Sequence, residues 1–393
     1  MSLDALMLNE GRRIAHLHDQ ENGVDTLFNS GSHRTSYLTA PRKITLETQA
    51  TAAFGRDLDF KLINSGNYAY GECLLKCTFD NTSTANYSSY LSMSMIERVQ
   101  LISGDNRVIM DYQYQPVMKA IMQGLKAEEK AHLLTGLSDA TEGTAIANEE
   151  KYALIPLFWS RYFNPSGEDA KPFPLYLCAG GDMTVRITIR SLANCLLTSA
   201  TGGGLSTAQL VCYVQSVNAE TALMHKAQVD RYEYHTAIPK TLIGNSVADS
   251  TATNINIKSL AGHNIVKLTF TSAPAADRDS ASFIYFENDV SVDSYKLEVN
   301  NDDVHEVGDV KEGIVDKVIM GKYNENTDTF YVIPFSQYND PRIYSGALNT
   351  SNLQTFTLKE VTQTTGATVY VDVCAWVHAS YSIKNGNVKL NYS

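Results

Sequence analysis

Short runs of alternating apolar and polar residues, broken every few positions by Gly, Asn, Asp or Ser, recur on both sides of one polar stretch near the middle of the chain. Alternation with period two sends successive side chains to opposite faces, so each run reads as a strand with one buried face. Before the polar stretch these runs include Lys43–Thr48, Glu72–Phe79, Arg98–Ile102, Arg107–Tyr112, Tyr152–Phe158, Leu175–Leu177, Met183–Ile189 and Leu210–Val214. After it come Asn254–Lys258, Ile265–Phe270, Phe283–Phe286, Tyr295–Val299, Phe330–Ile333, Gln354–Leu358 and Val369–Val377. Ser103-Gly-Asp-Asn106 is the turn between two of them. Two successive sets of short strands in 393 residues predict an all-β chain of two tandem β-sandwiches. No short fixed period repeats along the chain, which disfavours solenoids and propellers.

One helix is predicted inside the first set. Gln115–Leu134 carries Val117, Ile121 and Leu125 at helical spacing, with Pro116 near its start and Gly136 just past its end. Residues 1–40 are polar and patternless apart from a weak amphipathic opening, and read as an N-terminal arm. The predicted organisation is an arm at 1–40, a first sandwich at 41–215, a connector at 216–229 and a second sandwich at 230–393.

Composition narrows the functions. The net charge is −11 and no Lys/Arg cluster is present, which speaks against direct nucleic-acid binding. No apolar run approaches the roughly 18 residues of a membrane-spanning helix, and the first twenty residues do not read as a secretory signal. Six cysteines in a chain of this length are not a disulfide scaffold; they read as buried thiols in a reducing compartment. Cys73 and Cys77, four apart on one strand, would lie about 13 Å apart and cannot bridge each other.

No motif in the sequence has the spacing of a catalytic or ligand-binding site. Gly202-Gly203-Gly204 lacks the Lys-Ser/Thr ending of a phosphate loop and precedes a strand, with Thr201–Ser206 reading as a flexible loop. His16 and His18, beside Asp19 and Glu21, sit in the arm without a preorganised shell for a metal. Asn301-Asp302-Asp303, in the acidic stretch Glu287–Glu312, lacks the spaced ligands of a calcium loop, and the stretch reads as a solvated loop face. No Gly-x-Ser-x-Gly elbow, His-Glu-x-x-His or Cys-x-x-Cys occurs. The expectation is a chain with no catalytic residue, cofactor or metal.

Several segments resemble, in order, the double jelly-roll major capsid proteins of large nucleocytoplasmic DNA viruses and their smaller relatives. Ile96–Gly104 followed by Arg107-Val-Ile and a helix is similar to that family's strand–Gly-Gly–strand–helix passage, with Ser103-Gly104 in place of Gly-Gly. Leu157-Phe-Trp-Ser-Arg161, Pro172-Phe-Pro-Leu-Tyr-Leu177 and Met183–Ile187 resemble its Phe-Trp-Phe, Leu-Pro-Leu and following strand. Leu210–Val214 with the polar Asn218–Gln228 resembles its strand into the inter-barrel connector, without the usual arginine run. Tyr331–Ser336, Tyr344–Asn349, the strand Val369–Trp376 and the Asn385-Gly386 turn resemble its closing passage.

The resemblance implies two tandem jelly rolls with a short helical insertion. It implies a structural subunit, not an enzyme, forming pseudo-hexagonal homotrimeric capsomers of an icosahedral virus shell. The implied partners are the chain itself, neighbouring capsomers and, through residues 1–40, minor or vertex proteins or an internal membrane. The implied location is the virion. The alternatives are a tandem β-sandwich glycan-binding protein and a glycan-processing enzyme.

Overall fold

The computed structural model describes residues 42–64, 66–80, 91–123, 125, 129, 133, 150–163, 172–195, 203–217, 219–275, 290–308, 330–335 and 346–392. The arm with His16 and His18, the strand expected at Phe283–Phe286, Gly202 and Tyr344 lie outside the described residues, as does most of the expected helix beyond Gln123.

Eight strands form the first sandwich: β1 (Arg42–Glu47), β2 (Asp57–Lys61), β3 (Tyr68–Asp80), β4 (Ile96–Ile102), β5 (Val108–Gln113), β6 (Glu150–Ile155), β7 (Thr184–Ile189) and β8 (Gly204–Ser216). One sheet has the order β1-β8-β3-β6 and the other β2-β7-β4-β5, all antiparallel. The pairs 1·8, 2·7, 3·6 and 4·5 are the ladder of one long hairpin. Wrapping that hairpin around its own axis brings β3 beside β8 and β4 beside β7, which is a jelly roll.

Alternation decides which face goes inside. From Glu72 to Phe79 every second residue of β3 is buried (Cys73, Leu75, Cys77, Phe79), facing Leu210, Cys212 and Val214 of β8 on the same sheet face. Leu58 and Phe60 of β2 and Val185, Ile187 and Ile189 of β7 supply the opposite wall. Outward positions carry charge: Arg186 grips Asp59 with two bonds at 2.7 and 2.9 Å, and Arg98 pairs with Asp111.

The second sandwich repeats the plan with β9 (Glu233–Val247), β10 (Thr253–Asn256), β11 (Asn264–Pro274), β12 (Ser294–Val299), β13 (Asp302–Val307), β14 (Phe330–Pro334), the two-residue β15 (Leu348–Asn349), β16 (Phe356–Thr362), β17 (Val369–Lys384) and β18 (Asn387–Tyr392). Its sheets run β9-β17-β11-β14 and β10-β16-β12-β13. Setting aside β15 and β18, this is the strand order of the first roll. Its core is centred on Phe270, Tyr295 and Tyr331, with ring centroids 4.6 to 5.6 Å apart. The Tyr331 hydroxyl accepts from the Val292 N–H at 2.7 Å and donates to the Val292 carbonyl at 2.9 Å.

Four expectations need correction, and one element is new. Leu175–Leu177 is a single 3₁₀ turn and not a strand, because Pro172 and Pro174 remove the amides a ladder needs. The loop expected at Thr201–Ser206 ends earlier, since Gly204, Leu205 and Ser206 already belong to β8. The acidic stretch is not all solvated loop: Asp302–Val307 is β13, hairpinned to β12, and a charge ladder pairs Lys296 with Glu306 and Glu360, and Lys359 with Glu298 and Asp303. The stretch expected as connector, for which the sequence predicts no element, carries a helix, α2 (Ala219–Ala227), ahead of β9. The inserted helix, α1 (Tyr114–Met122), begins one residue early, and all nine of its residues are buried, Gln115 and Lys119 included.

Candidate interface at the seam between the two rolls

The sheet register of β11 and β17 shows where the two rolls meet. Phe270 pairs with Val373 and Leu268 with Ala375, both facing the core of the second roll. Their neighbours Lys267, Thr269 and Thr271 on β11, and Asp372, Cys374, Trp376, His378 and Ser380 on β17, point the other way. An outward sheet face of this polarity would ordinarily be wet. Here Thr269, Thr271, Asp372, Cys374 and Trp376 are all 3% exposed or less. The cover is α1, which packs on β4 and β5 of the first roll and on β9, β11 and β17 of the second.

Burying polar groups requires partners. The Trp376 indole N–H donates to the Thr269 hydroxyl at 3.1 Å, and that hydroxyl donates to the Cys374 carbonyl at 3.4 Å. The Gly244 amide donates to Asp372 at 2.6 Å, and the Gln113 amide of the first roll donates to Thr241 at 3.2 Å. The Lys267 ammonium lies 4.7 Å from the Trp376 ring centroid, and burial pushes its pKa down to about 8. Burial, with His235 stacked 5.5 Å away, holds His378 below the usual histidine range.

Beyond Val377, β17 passes the end of its pairing with β11 and runs on against the first roll. Tyr381 stacks on Phe158 at 3.8 Å and donates to the Ile109 carbonyl at 3.1 Å. Phe158 also meets Trp159, Phe173 and Tyr234 edge-on at 4.7 to 5.7 Å, and Phe173 meets Tyr232 at 6.0 Å. Three aromatic residues of the first roll thus interlock with three of the second. The Trp159 indole donates to the Gly71 carbonyl at 2.8 Å. Glu72 holds this turn by accepting from the Ser160 hydroxyl at 2.6 Å and the Arg161 amide at 2.8 Å. Burial pushes the Glu72 carboxyl up, and those two bonds oppose the shift.

The seam ends in three turns packed backbone on backbone. Asn385-Gly386, with φ of 54° and 72°, closes the β17–β18 hairpin in the left-handed conformation that Asn-Gly tolerates. The Gly180 amide donates to the Gly386 carbonyl at 2.8 Å. Gly181 in turn lies against Gly104 of the β4–β5 turn, so closely that a Cβ on Gly104 would sit 2.7 Å from the Gly181 backbone. The connector helix is pinned separately: the Tyr176 hydroxyl and His225 Nδ1, both buried, are 2.6 Å apart.

No protein-family model and no curated protein matches the sequence. Solved structures do match. The PBCV-1 virus capsid superposes with a TM-score of 0.68 at 13% identity, over 93% of this chain and 99% of that one. The Faustovirus major capsid protein gives 0.63 at 10%, over 93% and 94%, and the mavirus major capsid protein 0.55 at 10%, over 92% and 92%. The chain is a double jelly roll.

Within the double jelly roll, the segments that carried the sequence resemblance converge. Phe158-Trp159, Phe173, Gly104, Trp376 and Gly386 are scattered from the first roll to the end of the second, and all line the seam. What sequence reasoning missed is Tyr232 and Tyr234, which lie just past the connector, and Tyr381, in the polar tail of β17. The alternation Tyr232-Glu-Tyr234 was the available signal. Asn301 and Asp303 lie at the β12–β13 hairpin, where the Asn301 amide donates to Thr355 and Asp303 faces Lys359. Among the described residues no three His, Cys, Asp or Glu groups converge as metal ligands. All six cysteines are buried and free, and burial pushes the thiols of Cys178, Cys195 and Cys374 up to about 12, far from a nucleophile's range.

Proposed function

We propose that this double jelly roll is a structural capsid subunit, the major capsid protein of an icosahedral DNA virus, working without catalytic residues or a cofactor. The observation that carries the reading is the seam. Two rolls of one strand order are welded side by side through a buried sheet face, an aromatic interlock and a three-turn junction. A block with two equivalent halves offers two similar bases, so three copies around a threefold axis give a pseudo-hexagonal capsomer. The resemblance to the Faustovirus and mavirus major capsid proteins supports it. In this reading residues 41–215 and 230–393 are the two rolls and 216–229 the link. Residues 1–40 act in assembly, against neighbouring capsomers, minor proteins or a membrane, and the chain resides in the virion.

Light scattering coupled to size exclusion at micromolar concentration tests the proposal. Three chains of 43.3 kDa should elute as a particle of about 130 kDa and appear pseudo-hexagonal in negative stain. A monomer that persists across a wide range of salt would overturn the capsomer and favour a glycan-binding module.

A further inference from the structure

Cys73 of β3 and Cys212 of β8 are directly opposite in the antiparallel ladder at the centre of the first roll. Their sulfurs are 3.5 Å apart, the Cys73 thiol donating to Cys212, and both side chains are at most 1% exposed. Opposed residues of antiparallel strands have Cα atoms about 4.5 to 5.5 Å apart, inside the range a disulfide spans. Rotation about two χ1 bonds would bring the sulfurs to the roughly 2.04 Å of a bond without moving either strand. Each of the other four cysteines is buried among residues that offer no such partner thiol in the hydrogen-bonding of the described chain.

We infer that Cys73 and Cys212 are a redox-modification site, a reduced pair preorganised to close as one cross-strand disulfide when a small peroxide reaches the core. The inference rests on the strand register, the sulfur contact and the burial of the pair, and stands whether or not the chain assembles. The balance is simple. One thiolate attacks a peroxide oxygen, giving a sulfenic acid and water. The partner sulfur then attacks the sulfenic sulfur, forming the S–S bond and releasing a second water. The two sulfurs lose two electrons, the peroxide gains them, and the two thiol protons leave in the water. A bulky disulfide oxidant is unsuited to the folded state, because its mixed-disulfide intermediate has no room at sites this buried. The Cys73 thiol is held well above its usual range, first by its bond to Cys212 and then by burial, so the reaction is slow in the intact fold and follows local opening. The pair is 139 residues apart, so the bridge would tie the third and eighth strands of the first roll into one closed loop around its core.

The test uses the full chain exposed to millimolar hydrogen peroxide, then denatured, alkylated and mapped by mass spectrometry without reduction. The expected result is loss of two of six thiols, one cross-linked peptide pair containing Cys73 and Cys212, and a thermal midpoint raised by several degrees that a dithiol reductant reverses. In Cys212→Ala the cross-link and the shift should both vanish, while Cys73 is trapped as a sulfenic acid. Where the folded protein does not react, refolding from denaturant in a glutathione redox buffer removes the access barrier. Six free thiols after that refolding, or a cross-link between any other pair, overturns the inference.

Discussion

Gly366 and Gly386 are a matched pair for weighing the junction that closes the seam. Both hold a left-handed backbone, at φ +80° and +72°. A Cβ on Gly366 meets nothing within 4 Å, whereas one on Gly386 would lie 2.5 Å from the Gly180 nitrogen and 3.1 Å from its Cα. Gly366→Ala therefore carries conformational strain only, about 1 kcal/mol. Gly386→Ala carries the same strain. It also loses the Gly180 N–H bond to the Gly386 carbonyl, worth about 1 kcal/mol, and the clash forces the hairpin off the first roll at a cost of about 1–2 kcal/mol. The two variants should differ by about 2–3 kcal/mol, roughly a 30- to 150-fold change in the unfolding equilibrium. Equilibrium urea unfolding followed by fluorescence is well suited, because the chain has only two tryptophans and both, Trp159 and Trp376, sit at the seam. Circular dichroism on the same samples checks that a single transition is being read. Equal destabilisation of the two variants, within about 0.5 kcal/mol, would show that the hairpin turn adds nothing to the seam.

Phe158→Ala should cost about 4 kcal/mol, since it removes a fully buried ring that contacts Tyr234 and Tyr381 of the other roll; Tyr381→Phe, which loses only the bond to Ile109, should cost about 1 kcal/mol in the same urea assay. His378 has a folded pKa below its unfolded value, so the folded state resists protonation and stability should fall as pH drops through the unfolded value near 6.5. His378→Gln should flatten the thermal-midpoint profile between about pH 5 and 7. For Lys267, with a folded value near 8 against 10.5 unfolded, the unfolded chain binds the extra proton between those limits. Stability should therefore climb over that window, and Lys267→Met should remove the climb.

The strands that were legible are those with one wet and one dry face. β3, β4 and β7 alternate because a jelly-roll wall has water on one side. β13 was hidden because its six residues, Asp-Asp-Val-His-Glu-Val, are exposed over most of their length, and a hairpin held by cross-strand ion pairs needs no apolar face. The second half of β17 was hidden for the opposite reason. His378, Ser380 and Ser382 read as outward residues at the end of a strand, yet all three are buried, with His378 stacked on His235 and Ser382 bonded to Asn391. Polarity along one strand reports the chemistry of a surface but not whether a second body covers it. The same limit applies to the seam. Phe158-Trp159 and Asn385-Gly386 could be recognised by resemblance, but their meeting depends on contacts more than 200 residues apart in the chain, beyond the reach of periodicity. Cys73 and Cys212 were likewise invisible as a pair, since spacing speaks only for neighbours on one strand.

All sixteen residues of β17 are laddered within the second roll, with β9 alongside for nearly the whole length, and the far end of the strand packs Tyr381 against the first roll. Hinges occur where a few residues can absorb a change in backbone angles without breaking a ladder. Here, turning one roll against the other would unstack Tyr381 from Phe158 and break the Tyr381–Ile109 and Gly180–Gly386 hydrogen bonds. The connector helix is thus a tether and not a pivot, and a cut in it would leave the halves clasped. In the proposed capsid role, curvature would be taken up between such blocks, since the seam leaves little within them.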